Sequence, residues 1–223
     1  MTEQQTEGRI PSVSRRRLLA GLAAAPVALA GCGRKGSSDP LHLARSQATT
    51  TVMIIRHGEK PDKSHPGYDE HGHKDPHSLT RRGWARARAL PKLFDPPKGR
   101  APVPGLMRPK TLYAATDKGP LSGGHRMRQT VTPLAQQLGI KLDLTFAESQ
   151  EAALAKAAVA APAPVLICWE HSRIPAIVDA LGASGTGVPG EWPDRFDLVW
   201  VFTHAHGKWT FRQVNQHLLP GDA

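Results

Sequence analysis

Thr51-Val-Met-Ile-Ile-Arg-His-Gly-Glu-Lys-Pro61 joins a short apolar run to a basic turn. Residues 52–55 are rich in β-branched side chains and predict a buried strand. Arg56 and His57 follow at once, and Gly58 allows a sharp turn whose backbone no side chain covers. Open α/β sheets bind their ligands at the carboxyl ends of their strands. We therefore predict a ligand site where this strand ends.

Strand and helix signals alternate along the chain on the carboxyl side of this stretch. Thr80 is a predicted helix N-cap and Gly139 a predicted helix stop. Predicted strands cover 111–115, 141–146 and 164–171, and predicted helices cover 79–90, 125–138, 148–160 and 174–181. Residues 196–202 and 208–214 predict an antiparallel hairpin at the sheet edge. The expected fold is α/β, a three-layer α/β/α sandwich whose sheet is mostly parallel.

The bulk composition favours one globular domain with ligands that carry negative charge. The chain has 223 residues, 39% of them hydrophobic, and a formal net charge of +10. This charge is spread along the chain, aromatic content is only 5%, and no zinc-finger, RNA-recognition or basic-helix pattern occurs. We therefore expect no nucleic-acid partner. Positive charge suits a protein whose ligands carry phosphate.

The first 48 residues predict export and a lipid anchor. Three arginines, Arg15 to Arg17, precede 13 uncharged residues from Leu18 to Ala30, which is the layout of a secretory signal and too short to span a bilayer. The arginine pair before Leu18 resembles a twin-arginine signal. Leu29-Ala-Gly-Cys32 resembles the lipobox of bacterial lipoproteins, which implies lipidation of Cys32; a chance cysteine after an alanine-rich run is the alternative.

These signals divide the chain into three parts. Residues 1–31 are the predicted signal peptide, 32–48 a polar tether, and 49–223 the folded domain. The expected location is periplasmic or in the cell envelope, with the membrane reached through the anchor at Cys32. If Cys32 carries lipid, Cys168 is the only thiol left, and its apolar surroundings predict a small core residue.

The loop at 60–78 contains four histidines and several carboxylates. His65, His71, His73 and His77, with Asp69, Glu70 and Asp75, could in principle ligate a metal. Their spacing fits no zinc pattern, so we predict no metal and no other cofactor. The alternative is that this loop lines the rim of a substrate pocket.

Four segments in order resemble the histidine phosphatase superfamily, also called the phosphoglycerate mutase-like family. They are Arg56-His57-Gly58-Glu59, then Leu79-Thr80-x-x-Gly83-x-x-x-Ala87, then Arg126-x-x-Gln129-Thr130, then His171 between its strand and helix. The resemblance covers residues 51 to 213. It departs from the family's frequent Ser-Pro-Leu before the second arginine, where this chain has Ser122-Gly-Gly-His-Arg126.

The resemblance implies a phosphomonoester hydrolase in which His57 forms a phosphohistidine. It implies that Arg56, Arg126 and His171 bind the phosphoryl group. A neutral imidazole is nucleophilic near neutral pH, in agreement with that role for His57. The general acid is the open position in this assignment. Glu148 is the first choice, because the family places a glutamate some two dozen residues after the second arginine, and Glu59 and Glu170 are the second and third choices.

Two other functions fit the same residues. One is a phospho-ligand-binding lipoprotein without catalysis, and the other is a phosphomutase that shares the phosphohistidine. The intact nucleophile argues against the first and export against the second. The expected partner is a phosphorylated small molecule, which the loops at 60–78, 95–110 and 182–193 would select. The sequence carries no signal for an oligomeric state.

Overall fold

The computed structural model describes residues 49–118 and 124–223. The predicted signal peptide, the predicted tether and Cys32 lie outside these residues. The strands are β1 (Thr50–Arg56), β2 (Gly67–Tyr68), β3 (Leu79–Thr80), β4 (Thr111–Ala114), β5 (Leu142–Asp143), β6 (Val165–Trp169), β7 (Leu198–Ala205) and β8 (Lys208–Asn215). The helices are α1 (Arg81–Phe94), α2 (Arg126–Leu138), α3 (Glu151–Ala160) and α4 (Ile174–Leu181). In the described part of the chain, no helix has the length and apolar character to cross a membrane.

Six strands form the main sheet in the order β5-β4-β6-β1-β7-β8. The pairings from β5 to β1 are parallel, whereas β7 runs antiparallel to β1 and forms a hairpin with β8. At the centre, Ile54 of β1 lies opposite Ile167 on one side and Trp200 on the other. Strands β1 and β6 are apolar because both of their faces are buried.

The helices cover the two faces of this sheet. The chain moves from β1 to β4 and β5 through α1 and α2, then turns back to β6 through α3. Because parallel crossovers are right-handed, opposite directions of travel place their helices on opposite faces. Accordingly α1 packs against α2, and α3 packs against α4. The predicted three-layer α/β/α sandwich, with its mostly parallel sheet and antiparallel edge hairpin, is confirmed.

Several elements differ from the sequence prediction, among them α1, which is Arg81–Phe94 instead of 79–90. Strand β5 keeps only two of the six residues predicted at 141–146, and it lies at the sheet edge. Residues 67–68, predicted as loop, pair with β3 in a second small sheet. Helix α3 begins at Glu151 instead of residue 148, because Ser149 has a φ of 82°, which is incompatible with a right-handed helix. Glu148 therefore lies in the turn that precedes α3.

Candidate active site

Two glycines hold the turn that follows β1 against the start of α1. A Cβ atom on Gly83 would come within 2.7 Å of the Glu59 carbonyl oxygen, and one on Gly58 would lie 3.1 Å from Gly83 Cα. Only glycine permits this approach of two backbones. Thr80 caps α1 as predicted, its hydroxyl accepting a hydrogen bond from Gly83 N at 3.1 Å. The Leu79-Thr80-x-x-Gly83 segment thus supports the turn that carries His57.

Helix α2 braces the same turn from the other side. Gly58 N donates to Thr130 Oγ1 at 2.8 Å, and that hydroxyl donates to the Arg126 carbonyl at 2.7 Å. Gln129 is fully buried, and its amide accepts from Leu79 N at 3.0 Å and donates to Ser78 Oγ at 2.8 Å. The spacing in Arg126-x-x-Gln129-Thr130 therefore joins α2 to the two chain segments around His57.

His57 lies buried at the end of β1, with 1% of its surface exposed. Its Nδ1 is 2.7 Å from the Gly58 carbonyl oxygen. Because a carbonyl can only accept, Nδ1 carries the proton and Nε2 keeps its lone pair in the neutral ring. Burial lowers the pKa of His57 to about 3; the Gly58 carbonyl opposes this, and the charges of Arg126 and Arg56 add to it. His57 is thus an uncharged imidazole with a free Nε2 at neutral pH.

Two arginines lie close enough to His57 to act on its charge. Arg56 is 1% exposed, and its Nε is buried without a hydrogen-bond partner among the described residues. Its guanidinium carbon lies 4.0 Å from the centre of the Phe196 ring. Arg126 is the first residue of α2, one residue after the predicted helix start at 125, and is half-buried. Burial lowers the pKa of Arg126, although the charges of Glu148, Glu170 and Asp75 oppose it.

His171 follows β6 in the same way that His57 follows β1. The adjacent parallel strands bring His57, Glu170 and His171 together, with one nitrogen or oxygen atom from each lying within 4.8 Å of the others. His171 Nδ1 is 2.5 Å from Glu170 Oε1 but is not hydrogen-bonded to it in the described structure. Burial and the charge of Arg56 lower the pKa of His171, while Glu170 raises it.

Glu148 and Glu170 occupy different electrostatic surroundings in this site. Burial raises the pKa of Glu148, and the charge of Glu170 raises it further against the opposing charges of Arg173 and Arg126. Glu148 Oε1 is buried without a hydrogen-bond partner in the described structure. Burial also acts to raise the pKa of Glu170, but hydrogen bonds from Ser172 and the charge of His171 lower it overall. The raised pKa of Glu148 suits a general acid, whereas the lowered pKa of Glu170 suits a side chain that stays ionised.

Glu59 is not brought into this site. Its carboxylate accepts hydrogen bonds from Arg86 Nη2 at 2.7 Å and from Arg82 Nε at 3.1 Å. Both arginines also bind Asp222, whose carboxylate in turn caps the backbone near residue 218. Glu59 therefore belongs to an ion-pair network that fixes the turn after His57 to the carboxyl-terminal segment.

The charges around His57 favour an anion over a metal ion. Within residues 49–118 and 124–223, His57, Glu170 and His171 are the one group of three potential ligands close enough to share a metal. The guanidinium charges of Arg56 and Arg126 act on the same imidazole and would repel a cation. Arg56 Nε, an unsatisfied donor in a buried side chain, calls for an acceptor from a ligand.

Two of the four histidines in the loop at 60–78 bind carboxylates of that loop. His65 Nδ1 lies 3.0 Å from Asp62 Oδ1, and His73 Nδ1 lies 3.1 Å from Asp69 Oδ2. Asp62 and Asp69 also accept hydrogen bonds from backbone N–H groups of the loop. These contacts give the polar residues of the loop a role in its own conformation.

The structure gathers five of the predicted site residues and adds two that the sequence did not indicate. Asp194 Oδ1 lies 3.2 Å from Arg56 Nη1, and Phe196 packs on both the Arg56 guanidinium and the His57 ring. Both residues belong to the connection between α4 and β7, whose path over the site no local sequence pattern reveals. The five residues are Arg56, His57, Arg126, Glu148 and His171, and Glu170, the third choice for the general acid, lies with them.

The Asp194 carboxylate forms an ion pair with Arg56, which is predicted to bind phosphate. Its side chain is 97% exposed, so the ion pair with Arg56 is weak and open to displacement. We expect Asp194→Asn to lower the Kd for inorganic phosphate about threefold, since a competing anion is removed. Isothermal titration calorimetry measures this change. Glu191→Gln removes the same charge from the same loop, and an equal effect of that variant would show a general charge effect instead of competition at Arg56.

Comparisons with known proteins identify structural neighbours. No known family profile matches the chain, and no curated protein sequence matches it. A mycobacterial glucosyl-3-phosphoglycerate phosphatase is 10% identical over 77% of this chain and 100% of its own, with a TM-score of 0.45. A phosphoglycerate mutase from Bacillus anthracis is 14% identical over 77% and 95%, with a TM-score of 0.45. An alpha-ribazole phosphatase from Shigella flexneri is 12% identical over 78% and 100%, also with a TM-score of 0.45.

These neighbours include phosphatases and a mutase. Similarity of this extent carries no activity or substrate over to the present chain. Its function has to follow from the atoms of its own site.

Proposed function

We propose that this protein is a phosphomonoester hydrolase that acts through a phosphohistidine on His57. The observation that carries the proposal is the state of His57. Its Nδ1–H is committed to the Gly58 carbonyl, its pKa is about 3, and the charges of Arg56 and Arg126 act on it. An uncharged imidazole with a free Nε2 in a positive pocket is suited to attack an anionic phosphorus.

In the first step, His57 Nε2 attacks phosphorus and the bond from phosphorus to the ester oxygen breaks. Arg56 and Arg126 offer planar donor groups to the phosphoryl oxygens, and His171 is placed to donate as well. Glu148 gives its proton to the leaving oxygen, which departs as a neutral alcohol. The raised pKa of Glu148 keeps that proton available above the usual range of a glutamate.

In the second step, water attacks the phosphohistidine from the side that the alcohol has left. Glu148, now a carboxylate, accepts a proton from this water. The bond from phosphorus to His57 Nε2 breaks, inorganic phosphate is released, and both side chains return to their starting states. No metal or organic cofactor takes part in this sequence, and positioning with charge neutralisation supplies most of the catalysis.

The test combines phosphate release with capture of the intermediate. The protein is incubated with an aryl phosphate and with a panel of natural monoesters, quenched within milliseconds and analysed by mass spectrometry. We expect phosphate release together with a phosphoryl group on His57. Phosphate that protects the fold against heat without any ester being hydrolysed would indicate a binding protein. Return of the phosphoryl group to an isomer of the substrate instead of to water would indicate a mutase.

We also propose that the protein is exported and anchored by lipid at Cys32, on the strength of the sequence of its first 32 residues. The positive pocket then faces phosphoesters of the cell envelope or the periplasm. Cell fractionation of the native chain beside Cys32→Ala tests this location. Recovery of both proteins from the cytoplasmic fraction would contradict it.

A further inference from the structure

A cavity of about 460 Å³ lies beside the proposed phosphoryl site, between the 59–68 loop and the start of α1. Phe196 forms part of its wall, and the same ring packs 6.1 Å from the His57 ring and 4.0 Å from the Arg56 guanidinium carbon. Lys60 also lines the cavity, and its positive charge contributes to the lowered pKa of His171. The cavity therefore adjoins the site, and its volume is that of a small-ligand pocket, about 300–1,000 Å³.

The charged side chains that line this cavity differ in whether they have a hydrogen-bonding or ion-pair partner. Glu59 is bound by Arg82 and Arg86, and Asp62 is held by hydrogen bonds with the His65 ring and the backbone N–H groups of residues 64 and 65. Lys60 and Arg81, by contrast, have no carboxylate within ion-pair distance in the part of the chain that the structure describes. The cavity thus offers two cations that form no ion pair with an acidic side chain of residues 49–118 and 124–223.

Arg81 occupies a position that helix electrostatics make unfavourable. It is the first residue of α1, where the helix dipole favours negative charge, and the first turn of α1 contains no acidic residue. Its guanidinium carbon lies 4.6 Å from the centre of the Tyr68 ring, which also lines the cavity. An anion bound in the cavity would offset the repulsion between the Arg81 charge and the positive end of the α1 dipole.

We propose, building on the phosphatase function, that this cavity binds the alcohol part of the substrate and selects alcohols that carry a second anionic group. Lys60 and Arg81 would bind that carboxylate or second phosphate. Tyr68 and Phe196 provide aromatic surfaces against which the carbon skeleton can pack. The preferred substrate is accordingly a phosphomonoester whose alcohol carries a second acidic group, over a simple alkyl or aryl phosphate.

Binding of two non-hydrolysable probes separates this proposal from turnover. Phenylphosphonate and 4-carboxyphenylphosphonate differ by one carboxylate, and calorimetry gives the Kd of each. We expect the protein to bind the carboxylated probe about fivefold more tightly, the scale of two partly exposed ion pairs. The double variant Lys60→Gln/Arg81→Gln should lose this preference. Arg88→Gln/Lys92→Gln, which removes two exposed charges from α1 outside the cavity, should keep it.

Equal affinity of the wild-type protein for the two probes would overturn the proposal, and so would a preference that survives in the Lys60→Gln/Arg81→Gln variant. Hydrolysis of phenyl phosphate and 4-carboxyphenyl phosphate is measured separately. Carboxylate-dependent binding without hydrolysis of either ester would support the cavity assignment and contradict the phosphatase function. Hydrolysis of both esters with no carboxylate preference in the binding experiment would contradict the cavity assignment alone.

Discussion

Replacement of His57 by alanine is expected to lower kcat for phosphate release about ten-thousand-fold or more, because the covalent route loses its nucleophile. Binding of phosphate should persist, since Arg56 and Arg126 remain. Rapid-quench kinetics and mass spectrometry check both halves of this expectation. Turnover should fall together with the phosphoryl adduct.

The matched control for this variant is His204→Ala. His204 lies on β7 opposite Thr50, at the far end of β1 from His57, so it reports the general cost of losing a histidine from the central sheet. Added imidazole should restore part of the activity of His57→Ala, because free imidazole can accept the phosphoryl group in the space that the side chain vacates. Full activity of His57→Ala without imidazole would exclude the phosphohistidine mechanism.

The positions of His57 and His171 in the site could be predicted from the sequence, because both residues follow the carboxyl ends of predicted strands. Apolar runs with basic ends at 52–57 and 164–171 become β1 and β6, which are adjacent and parallel, so His57 and His171 meet at one edge of the sheet. Arg126 joins them because Thr130 and Gln129 fix α2 to the same turn. Sequence spacing carries this information, since the periods of strands and helices fix which residues share an end.

The residues that cover the site, Asp194 and Phe196, and the identity of the general acid could not be predicted from sequence spacing. Asp194 and Phe196 reach Arg56 from 138 or more residues away, and no periodicity encodes that path. Glu59, Glu148 and Glu170 are equivalent as letters in a sequence. They differ only through burial and neighbouring charges, which exist after folding. Arginines bind Glu59, the Ser172 hydrogen bonds and the charge of His171 lower the pKa of Glu170, and burial raises the pKa of Glu148.

Glu148→Gln is therefore expected to slow hydrolysis in proportion to how poor the leaving group is. With an alkyl phosphate, whose alkoxide needs a proton, kcat/KM, which reports the steps up to departure of the alcohol, should fall about 100-fold, the usual scale of general acid catalysis. With p-nitrophenyl phosphate the fall in kcat/KM should be about fivefold or less, because nitrophenolate leaves without protonation. Steady-state kinetics on the two esters measure the difference. Glu170→Gln and Glu59→Gln serve as comparisons, and neither should depend on the leaving group in this way.

The pH dependence of the hydrolysis rate provides a second test of Glu148 as the general acid. His57 must be unprotonated to attack, so the rate should rise with pH through its pKa of about 3. Glu148 must be protonated to assist departure, so kcat/KM with an alkyl phosphate, which reports the step in which the alcohol leaves, should fall as pH rises through its pKa, which burial places above the ordinary value of 4.5. The profile is then bell-shaped, and Glu148→Gln should remove only its alkaline limb. An alkaline limb that persists in Glu148→Gln but disappears in Glu170→Gln would transfer the acid role to Glu170.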